Sequence, residues 1–553
     1  MELLEWLDSR KNDRDAARLA ERRKKLISRG IVAAVCLILF IAGVSYTSSA
    51  RTVYFWDDAT YWDMSRSILS GALRGEFWQR VYGSIGTSDY NYVAALPPAA
   101  WMSVFGTGRV SYVAGLIVMY LIPSVLLIYR LSTKLSKAPL FSFITAVFLL
   151  PAALYIAAMG FADVGGLLMM LACYNLYYKR NNRDGSPIRH IFIGILLVMM
   201  MIYRRYFAFF AVSFVTAMLI DCMLFKRRWR NVLITGASAA GFLLLAFFPF
   251  VTGILFKDYG TLYSSYKFPI TTDLRFIARY FGLITILVLA AVPVIEWVRK
   301  RESRPVFCWV QLIVCCSMFM STQTHATHHL LLYIPAFAVL SVWLINCVSK
   351  RISLIALAIL IAANLISPVI PREQPSNIQD IKGVAVLPSF SMLPDVRDDI
   401  DDLIRAKRRL DTTIPEGSVC GVMASSFVIN DSILRNAEPS VNMKVNREPD
   451  YITALPEVDS RDHARLDEIY NSEYILVAFP AQTHLAAGEQ SIVTECVRSF
   501  ELYADIATAF EEVAGFDEKV GDVELKLYHR VENVSEYQKN EFRKRLFKQE
   551  LVR

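Results

Sequence analysis

Apolar residues in this chain are grouped in blocks of about 20, separated by short polar and basic segments. A block of that length crosses the roughly 30 Å hydrocarbon core of a bilayer as one helix. The pattern predicts about 11 such helices, placed near 31–48, 110–129, 139–158, 162–178, 190–203, 206–225, 231–255, 277–298, 305–322, 329–348 and 352–370. The predicted fold class is therefore a mostly α-helical polytopic membrane protein.

The segment 49–109, between the first two blocks, has a different pattern. Its amphipathic stretches near 59–72 and 92–105 are too short to cross a bilayer, so we expect two helices lying at the membrane interface.

The C-terminal third of the chain, 373–553, lacks long apolar blocks. A stripe of helical spacing in "PDVRDDIDDLIRAKRRL" precedes the strand-like run "SVCGVMASSF". The alternation repeats with helical "SRDHARLDEIY" before "EYILVAF", and helical 489–513 before "VELKLYHRV". This predicts a soluble α/β domain, which follows a basic N-terminus (1–30) and a membrane domain (31–372).

Composition and charge agree with a membrane protein and predict its orientation. Of 553 residues, 54% are hydrophobic and 20% are charged, and the net charge of +8 comes from basic patches between apolar blocks, which is not typical of nucleic-acid binding. Loops on the N-terminal side carry 26 Lys and Arg and the opposite loops carry 11. By the positive-inside rule, the N-terminus is cytoplasmic and the C-terminal domain of this cell-membrane protein lies outside.

Two of the nine cysteines, Cys420 and Cys496, lie in the polar C-terminal region, and the others lie in apolar blocks. In an extracytoplasmic domain these two either form a disulfide or remain buried thiols, and the sequence is compatible with both.

Ionisable residues are concentrated at the outer ends of the predicted spans, where a charge is costly unless it has a role. In "VYFWDDATYWDMSRSIL", Asp57 and Asp58 begin a predicted helix, either as N-capping residues or as functional carboxylates. Capping requires one Asp and does not account for the pair, which favours a functional role. Asp163 in "GFADVGGLLMM" has the same two interpretations, and Gly165 and Gly166 after it are typical of close helix packing.

A basic pair and a histidine cluster lie on the same side. Arg204 and Arg205 in "MIYRRYFAFF" are either an interfacial pair or a clamp for phosphate, which guanidinium groups match in shape. The run "THATHHLLLYIP" holds His325, His328 and His329. Helical spacing places His325 and His329 on one face, which is compatible with a metal site and equally with hydrogen bonding to an anionic ligand.

The loop "KDYGTLYSSYKFP" carries Tyr259, Tyr263 and Tyr266. Tyrosines at a membrane boundary form an aromatic belt, and rings beside polar groups also suit the faces of sugars.

These residues together resemble the membrane glycosyltransferases of the GT-C class, which include protein O-mannosyltransferases and the lipid A aminoarabinose transferase. The acidic pair with Tyr61 three residues on is similar to the D-E-x-x-Y motif of that class, "DYNYVAALPPAAWMSVFG" to its second interface helix, and "GFADVGGLLMM" to its span-opening Asp. "THHLLLYIPAFAVL" resembles the H-Y-x-x-P-x-x-P element, with His329 in place of Tyr and Leu332 in place of the first Pro. Some relatives carry an acidic-basic pair before Pro-Pro, where this chain has Ala95 and Leu96. The likeness extends over about 31–350.

The resemblance implies transfer of a sugar from a polyprenyl-phosphate donor to a glycan, lipid or protein of the cell envelope. It implies Asp57 as the base, with Asp58 supporting it. The lipid phosphate would be bound by basic residues, Arg204, Arg205, His328 and His329, of which we expect Arg205 to contribute most. Further substrate contacts would come from Tyr61, Asp163, Tyr259, Tyr263 and Tyr266. A divalent metal ion is a further expectation, with candidate ligands Asp57, Asp58, His325 and His329.

A transporter or a flippase for lipid-linked sugars is the alternative function. Such proteins place ionisable groups near the middle of the membrane, often on broken helices. Here the ionisable groups lie at one face and a large outer domain follows, which favours the transferase.

Overall fold

The structure is a computed structural model and describes residues 2–87, 90–178, 186–226, 228–300, 303–348, 351–371, 378–437 and 451–551. Its membrane part consists of helices, several of them broken by 3-10 or π turns. The longer ones are Glu2–Ser49, Trp56–Leu73, Leu96–Phe105, Arg109–Leu116, Ile122–Leu135, Pro139–Phe148, Val164–Tyr177, Pro187–Tyr203, Ala208–Phe225, Trp229–Ala246, Ile270–Phe281, Leu283–Lys300, Ser303–Thr322, Ile334–Cys347 and Arg351–Ile366. Short helices and 3-10 turns join them, among them Phe77–Gly83, Ala152–Ala158, Arg205–Phe207, Tyr259–Leu262, Ser264–Tyr266 and Thr327–Leu332.

The predicted multi-pass helical fold is confirmed. In the described ranges, six helices are long and apolar enough to cross a membrane, or up to eight if each of two bent helix pairs is one span. The remaining three predicted spans correspond to shorter apolar helices, Val164–Tyr177, Pro187–Tyr203 and Ile334–Cys347. Each of these borders a polar segment at one end, which contains Asp163, Arg204 or His328 respectively.

The two expected interface helices are present as Trp56–Leu73 and as a 3-10 turn, Tyr92–Ala95, that continues into Leu96–Phe105. They pack against each other, with Ser65 Oγ donating a hydrogen bond to the Ala95 carbonyl at 3.3 Å. The short helix Phe77–Gly83 between them is not predicted by the amphipathic pattern.

The C-terminal region contains a mixed five-stranded sheet with helices on both faces. Its strands are β1 (Cys420–Met423), β2 (Ile452–Ala454), β3 (Tyr474–Phe479), β4 (Phe510–Val520) and β5 (Val523–Arg530), in the order β2-β1-β3-β5-β4. The first three strands of that order are parallel, whereas β5 runs antiparallel to both β3 and β4. The helices are Ile400–Thr413, Asp431–Asn436, Asp459–Asp462, Asp467–Asn471, Ser491–Leu502 and Glu536–Leu551. The expected α/β character is confirmed, although the expected boundary at 372–373 lies outside the described residues.

The disulfide alternative for Cys420 and Cys496 is wrong, since both are free and buried. Alternate residues of a strand point to opposite faces of a sheet. Cys420 packs with Leu403 in the apolar cluster on one face, and Cys496 packs with Val477 in the cluster on the other. The sheet therefore separates the two thiols.

Candidate active site

Four distant segments of the chain meet at one end of the helical bundle. Asp57 lies in the first turn of the interface helix Trp56–Leu73, and Asp163 immediately precedes Val164–Tyr177. Arg204 lies between Pro187–Tyr203 and the 3-10 turn Arg205–Phe207. His328 comes from the turn Thr327–Leu332. The polar residues that shorten three apolar helices are thus brought together with the start of the interface helix.

Arg204 lies at the centre of this group, with only 7% of its surface exposed. Its Nη2 donates a hydrogen bond to Asp57 Oδ2 at 2.9 Å, and its Nε lies 3.3 Å from Asp163 Oδ1. The guanidinium carbon is 5.0 Å from the Tyr90 ring centre and 5.1 Å from that of Tyr61, which are cation–π distances. Among the described residues, Arg204 Nη1 is buried and has no hydrogen-bond partner. Burial excludes the interpretation of Arg204 as an exposed interfacial anchor.

The Asp57 carboxylate is held by three groups. Besides Arg204, the Tyr90 hydroxyl donates to Oδ1 at 2.5 Å and His328 Nε2 lies 3.4 Å from Oδ2. Burial raises the pKa of Asp57, but the charges of Arg204 and His328 and the hydrogen bonds from Tyr90 and Arg204 together outweigh it, and the pKa falls to about 2. Asp57 is thus ionised at neutral pH, and 19% of its side chain is exposed.

Asp58 is in a different environment from its neighbour. Burial raises the pKa of Asp58 well above its ordinary value, and the Asp57 charge adds to the increase. The nearby backbone N–H groups of Asp58 and Ala59 act in the opposite direction and lower the pKa. The N-cap position of this helix is Phe55, so neither carboxyl group occupies it, and Asp57 pairs with Arg204. The pKa values of the two neighbouring carboxyl groups are thus shifted in opposite directions.

Asp163 is buried and does not cap its helix through its side chain. Its Oδ1 accepts a hydrogen bond from the Tyr206 hydroxyl at 2.8 Å, and its Oδ2 has no partner among the described residues. Tyr61 is fully buried with its ring against the Arg204 guanidinium.

The three histidines make different contacts. His325 Nδ1 lies 2.7 Å from Asp273 Oδ1, and its Nε2 contacts the Tyr333 hydroxyl. His329 Nδ1 accepts the Ala326 backbone N–H at 2.9 Å, and its ring packs 4.7 Å from that of Phe319. Only His328 contacts Asp57.

The expected metal ligands do not form a complete ligand set. Over the described part of the chain, no group of three or more His, Cys, Asp or Glu lies close enough to hold an ion. The metal requirement stays a prediction, which a metal-content measurement on purified protein tests.

The Arg205 guanidinium packs over the rings of the loop that precedes Ile270–Phe281. Its guanidinium carbon is 4.8 Å from the Tyr259 ring centre and 5.3 Å from that of Tyr263. Tyr266, from the same loop, accepts a hydrogen bond from Arg461 of the C-terminal domain at 3.2 Å. The aromatic loop therefore links the site to that domain.

Three residues of the site were not singled out by the sequence pattern: Tyr90, Tyr206 and Asp273. The tyrosines lie in segments already rich in rings, where one more carries no signal. Asp273 lies 52 positions before its partner His325, and spacing along the chain does not reveal such a pair.

No family model and no curated protein matches the sequence. Among solved structures, the fold is similar to that of ArnT from Cupriavidus metallidurans, both bound to undecaprenyl phosphate and in the apo state. The TM-score is 0.55 at 12% identity, covering 90% of this chain and 97% of that chain. This likeness shows the fold, and it confirms the architecture expected from the GT-C resemblance.

A weaker similarity exists to the archaeal oligosaccharyltransferase AglB from Archaeoglobus fulgidus, in complex with an inhibitory peptide and a dolichol-phosphate. The TM-score is 0.40 at 11% identity, covering 80% of this chain and 69% of that chain, which is too low to support a conclusion.

Proposed function

We propose that this protein is a glycosyltransferase that moves a sugar from a polyprenyl-phosphate-linked donor to a cell-envelope acceptor at the outer face of the membrane. The observation that carries the proposal is the buried guanidinium of Arg204, held between two carboxylates with one N–H group unpartnered among the described residues. A buried donor without a partner is costly unless a ligand completes it. The undecaprenyl phosphate bound to ArnT, a protein of similar fold, supports this class of donor.

Arg204 is the residue best placed to bind the lipid phosphate. Its planar fork matches phosphate oxygens, and low solvent access strengthens the interaction. His328 lies beside it, while Arg205 and His329 contribute from further around the site. This proposal differs from our expectation that Arg205 contributes most, since the Arg205 guanidinium stacks on Tyr259 and Tyr263, whereas that of Arg204 pairs with Asp57.

Donor binding then activates the base. With a pKa of about 2, Asp57 is ionised but is a weak base while Arg204 is paired with it. A phosphate that engages Arg204 competes for that positive charge, so the pKa of Asp57 rises and its basicity increases. The base would thus be strong only when the donor is present.

The transfer itself is a direct displacement with inversion. The acceptor oxygen forms a bond to the anomeric carbon and the bond from that carbon to the phosphate oxygen breaks. The electron pair of the broken bond stays on the lipid phosphate, whose charge Arg204 stabilises. The proton of the acceptor hydroxyl passes to Asp57. Asp58, the next residue on the same helix, would support the base, as the GT-C resemblance implies.

The test is an assay with purified protein, a panel of radiolabelled undecaprenyl-phosphate sugars and a cell-envelope fraction. Asp57→Asn keeps the size of the side chain and loses its basicity, so turnover should fall by about 100-fold or more. Asp63→Asn is the matched control, because Asp63 lies on the same helix and 40% of its side chain is exposed.

Normal turnover of Asp57→Asn would contradict the assigned base. Movement of the intact lipid-linked sugar across the bilayer, with no new glycosidic bond formed, would instead identify the alternative, a flippase.

A further inference from the structure

The topology of the C-terminal sheet creates a position suited to ligands. Strand β1 lies between β2 and β3, and all three are parallel, so the chain leaves β1 to one side and then returns to the other. In parallel sheets, ligands bind outside the carboxyl ends of the strands where the strand order reverses in this way. The carboxyl ends of β1 and β3 form that position here.

Polar side chains follow each of these strand ends. Ser425 and Ser426 come after β1, Glu457 after β2, and Gln482 and His484 after β3; we call these five residues the carboxyl-end face. The segments that follow β1 and β3 contact each other. Ser426 Oγ donates to Gln482 Oε1 at 2.9 Å, and His484 Nδ1 lies 2.9 Å from the Ser425 carbonyl oxygen.

The segment that leads to Asp57 is docked on this same face. Val53 is buried in the apolar cluster of the C-terminal sheet, and the Trp56 backbone N–H donates to Ser432 Oγ at 3.0 Å. The Trp56 ring lies 4.6 Å from the His484 ring and 5.5 Å from the Phe427 ring.

Trp56 has a φ of 51°, in the left-handed region that bulky residues rarely adopt. Such a conformation persists where surrounding contacts determine it, and it occurs often at ligand sites. Here it occurs at the residue directly before the proposed base.

The aromatic loop of the membrane domain, which carries Tyr259, Tyr263 and Tyr266, packs against the C-terminal domain next to the carboxyl-end face. Arg461 Nη1 donates to the Tyr266 hydroxyl, and the Tyr266 ring lies 6.4 Å from that of His484. Ser460 Oγ donates to the Leu262 carbonyl at 3.0 Å. The rings of Trp56, Tyr266 and Phe427 therefore lie around His484 of the carboxyl-end face, and Trp56 directly precedes Asp57 in the chain.

We infer, on the basis of the proposed glycosyl transfer, that the carboxyl-end face binds the acceptor, and that the bound acceptor group is a saccharide. A sugar ring has apolar C–H faces that suit aromatic side chains and hydroxyl edges that suit serine, glutamine, imidazole and carboxyl groups. Phe427, with 44% of its surface exposed, and Glu457, with 15% of its side chain exposed, remain accessible to such a group. An acceptor bound there would present its hydroxyl group next to Asp57.

The charges of this region favour a neutral group over an anionic one. The arginines that contact this region are already paired with carboxylates: Arg397 with Asp399 at 2.7 Å, Arg435 with Asp431, and Arg461 with Asp462 at 3.0 Å. Burial raises the pKa of Glu457 to about 7, so this carboxyl group both donates and accepts hydrogen bonds near neutral pH.

The experiment compares two reactions of the same labelled undecaprenyl-phosphate sugar: transfer to polysaccharide released from the envelope of the native cells, and hydrolysis by water. Glu457→Gln and Phe427→Ala should each lower transfer at least tenfold relative to hydrolysis, and raise the KM for the polysaccharide. The matched controls are Glu501→Gln on the helix Ser491–Leu502 and Val428→Ala beside Phe427, which should keep the wild-type ratio. Because Phe427 is exposed, its truncation leaves the fold intact, which thermal unfolding checks.

Three results would overturn the inference. The first is an unchanged ratio of transfer to hydrolysis in both variants. The second is an equal fall of transfer and hydrolysis, which would indicate that these residues position Asp57, and the third is recovery of the label in protease-sensitive material. Asp57→Asn, run in parallel, should lower both reactions. If it lowers neither, the proposed function itself has failed, and that outcome is distinct from the other three.

Discussion

Arg204 is the residue on which the proposed chemistry depends most, and it yields a prediction about donor binding. Lysine keeps the charge but loses the planar fork, so Arg204→Lys should weaken binding of undecaprenyl phosphate about tenfold, and Arg204→Ala should weaken it further. Arg205→Ala should have the smaller effect, because that guanidinium stacks on the rings of Tyr259 and Tyr263, whereas the Arg204 guanidinium pairs with Asp57. Binding is measured by titration in detergent, apart from turnover.

The substitution Arg204→Ala should also change the pH dependence of turnover. Without the guanidinium, burial raises the pKa of Asp57 from about 2, so the acid limb of the pH–rate profile of Arg204→Ala should move to higher pH. A profile that coincides with that of the wild type, together with equal effects of the two arginines on donor binding, would contradict the assigned role of Arg204.

At this scale the sequence identified much of the site, because a charge at the end of an apolar block is costly and therefore informative. Asp57, Asp163, Arg204 and His328 were all singled out in this way, and the structure brings them together. The sequence could not show which of Arg204 and Arg205 pairs with Asp57, because adjacent residues share one sequence signal. Their side chains differ in direction because the 3-10 turn 205–207 begins between them.

Close packing between elements can be tested at a glycine. A Cβ atom on Gly166 would overlap the Phe207 ring, whereas one on Gly236 would meet nothing within 4 Å. Both glycines lie inside helices, so the intrinsic helix gain of a change to alanine is comparable at the two positions. Gly166→Ala should therefore lower the unfolding temperature and Gly236→Ala should not, as measured by thermal unfolding in detergent. Equal effects would show that the helices bearing Gly166 and Phe207 separate easily.

Elements with strong periodicity were predicted well, and the errors have physical causes. The two interface helices and strands β1, β3 and β5 lie where their patterns placed them. The predicted helix 489–513 ends at Leu502, and its last residues belong to β4, whose long antiparallel pairing with β5 overrides local preference. β2 has only three residues and depends on pairing with β1, so its local sequence carries little signal.

In the molecule as a whole, the C-terminal domain and the candidate active site lie at the same end. The contacts of Val53, Trp56 and Tyr266 with that domain require this arrangement. The side of the membrane that holds the domain therefore also holds the proposed reaction, and one measurement of orientation locates both.

We expect that side to be the outer one. The loops that share the N-terminal side carry 26 Lys and Arg against 11 opposite, and this bias places the N-terminus in the cytoplasm. Protease added to intact spheroplasts should cleave within the C-terminal domain and spare a tag fused to the N-terminus, which becomes accessible only after the membrane is broken. The reverse pattern would place Asp57 and Arg204 in the cytoplasm. The protein would then use its donor at the cytoplasmic face of the membrane. That result would exclude an acceptor in the outer envelope.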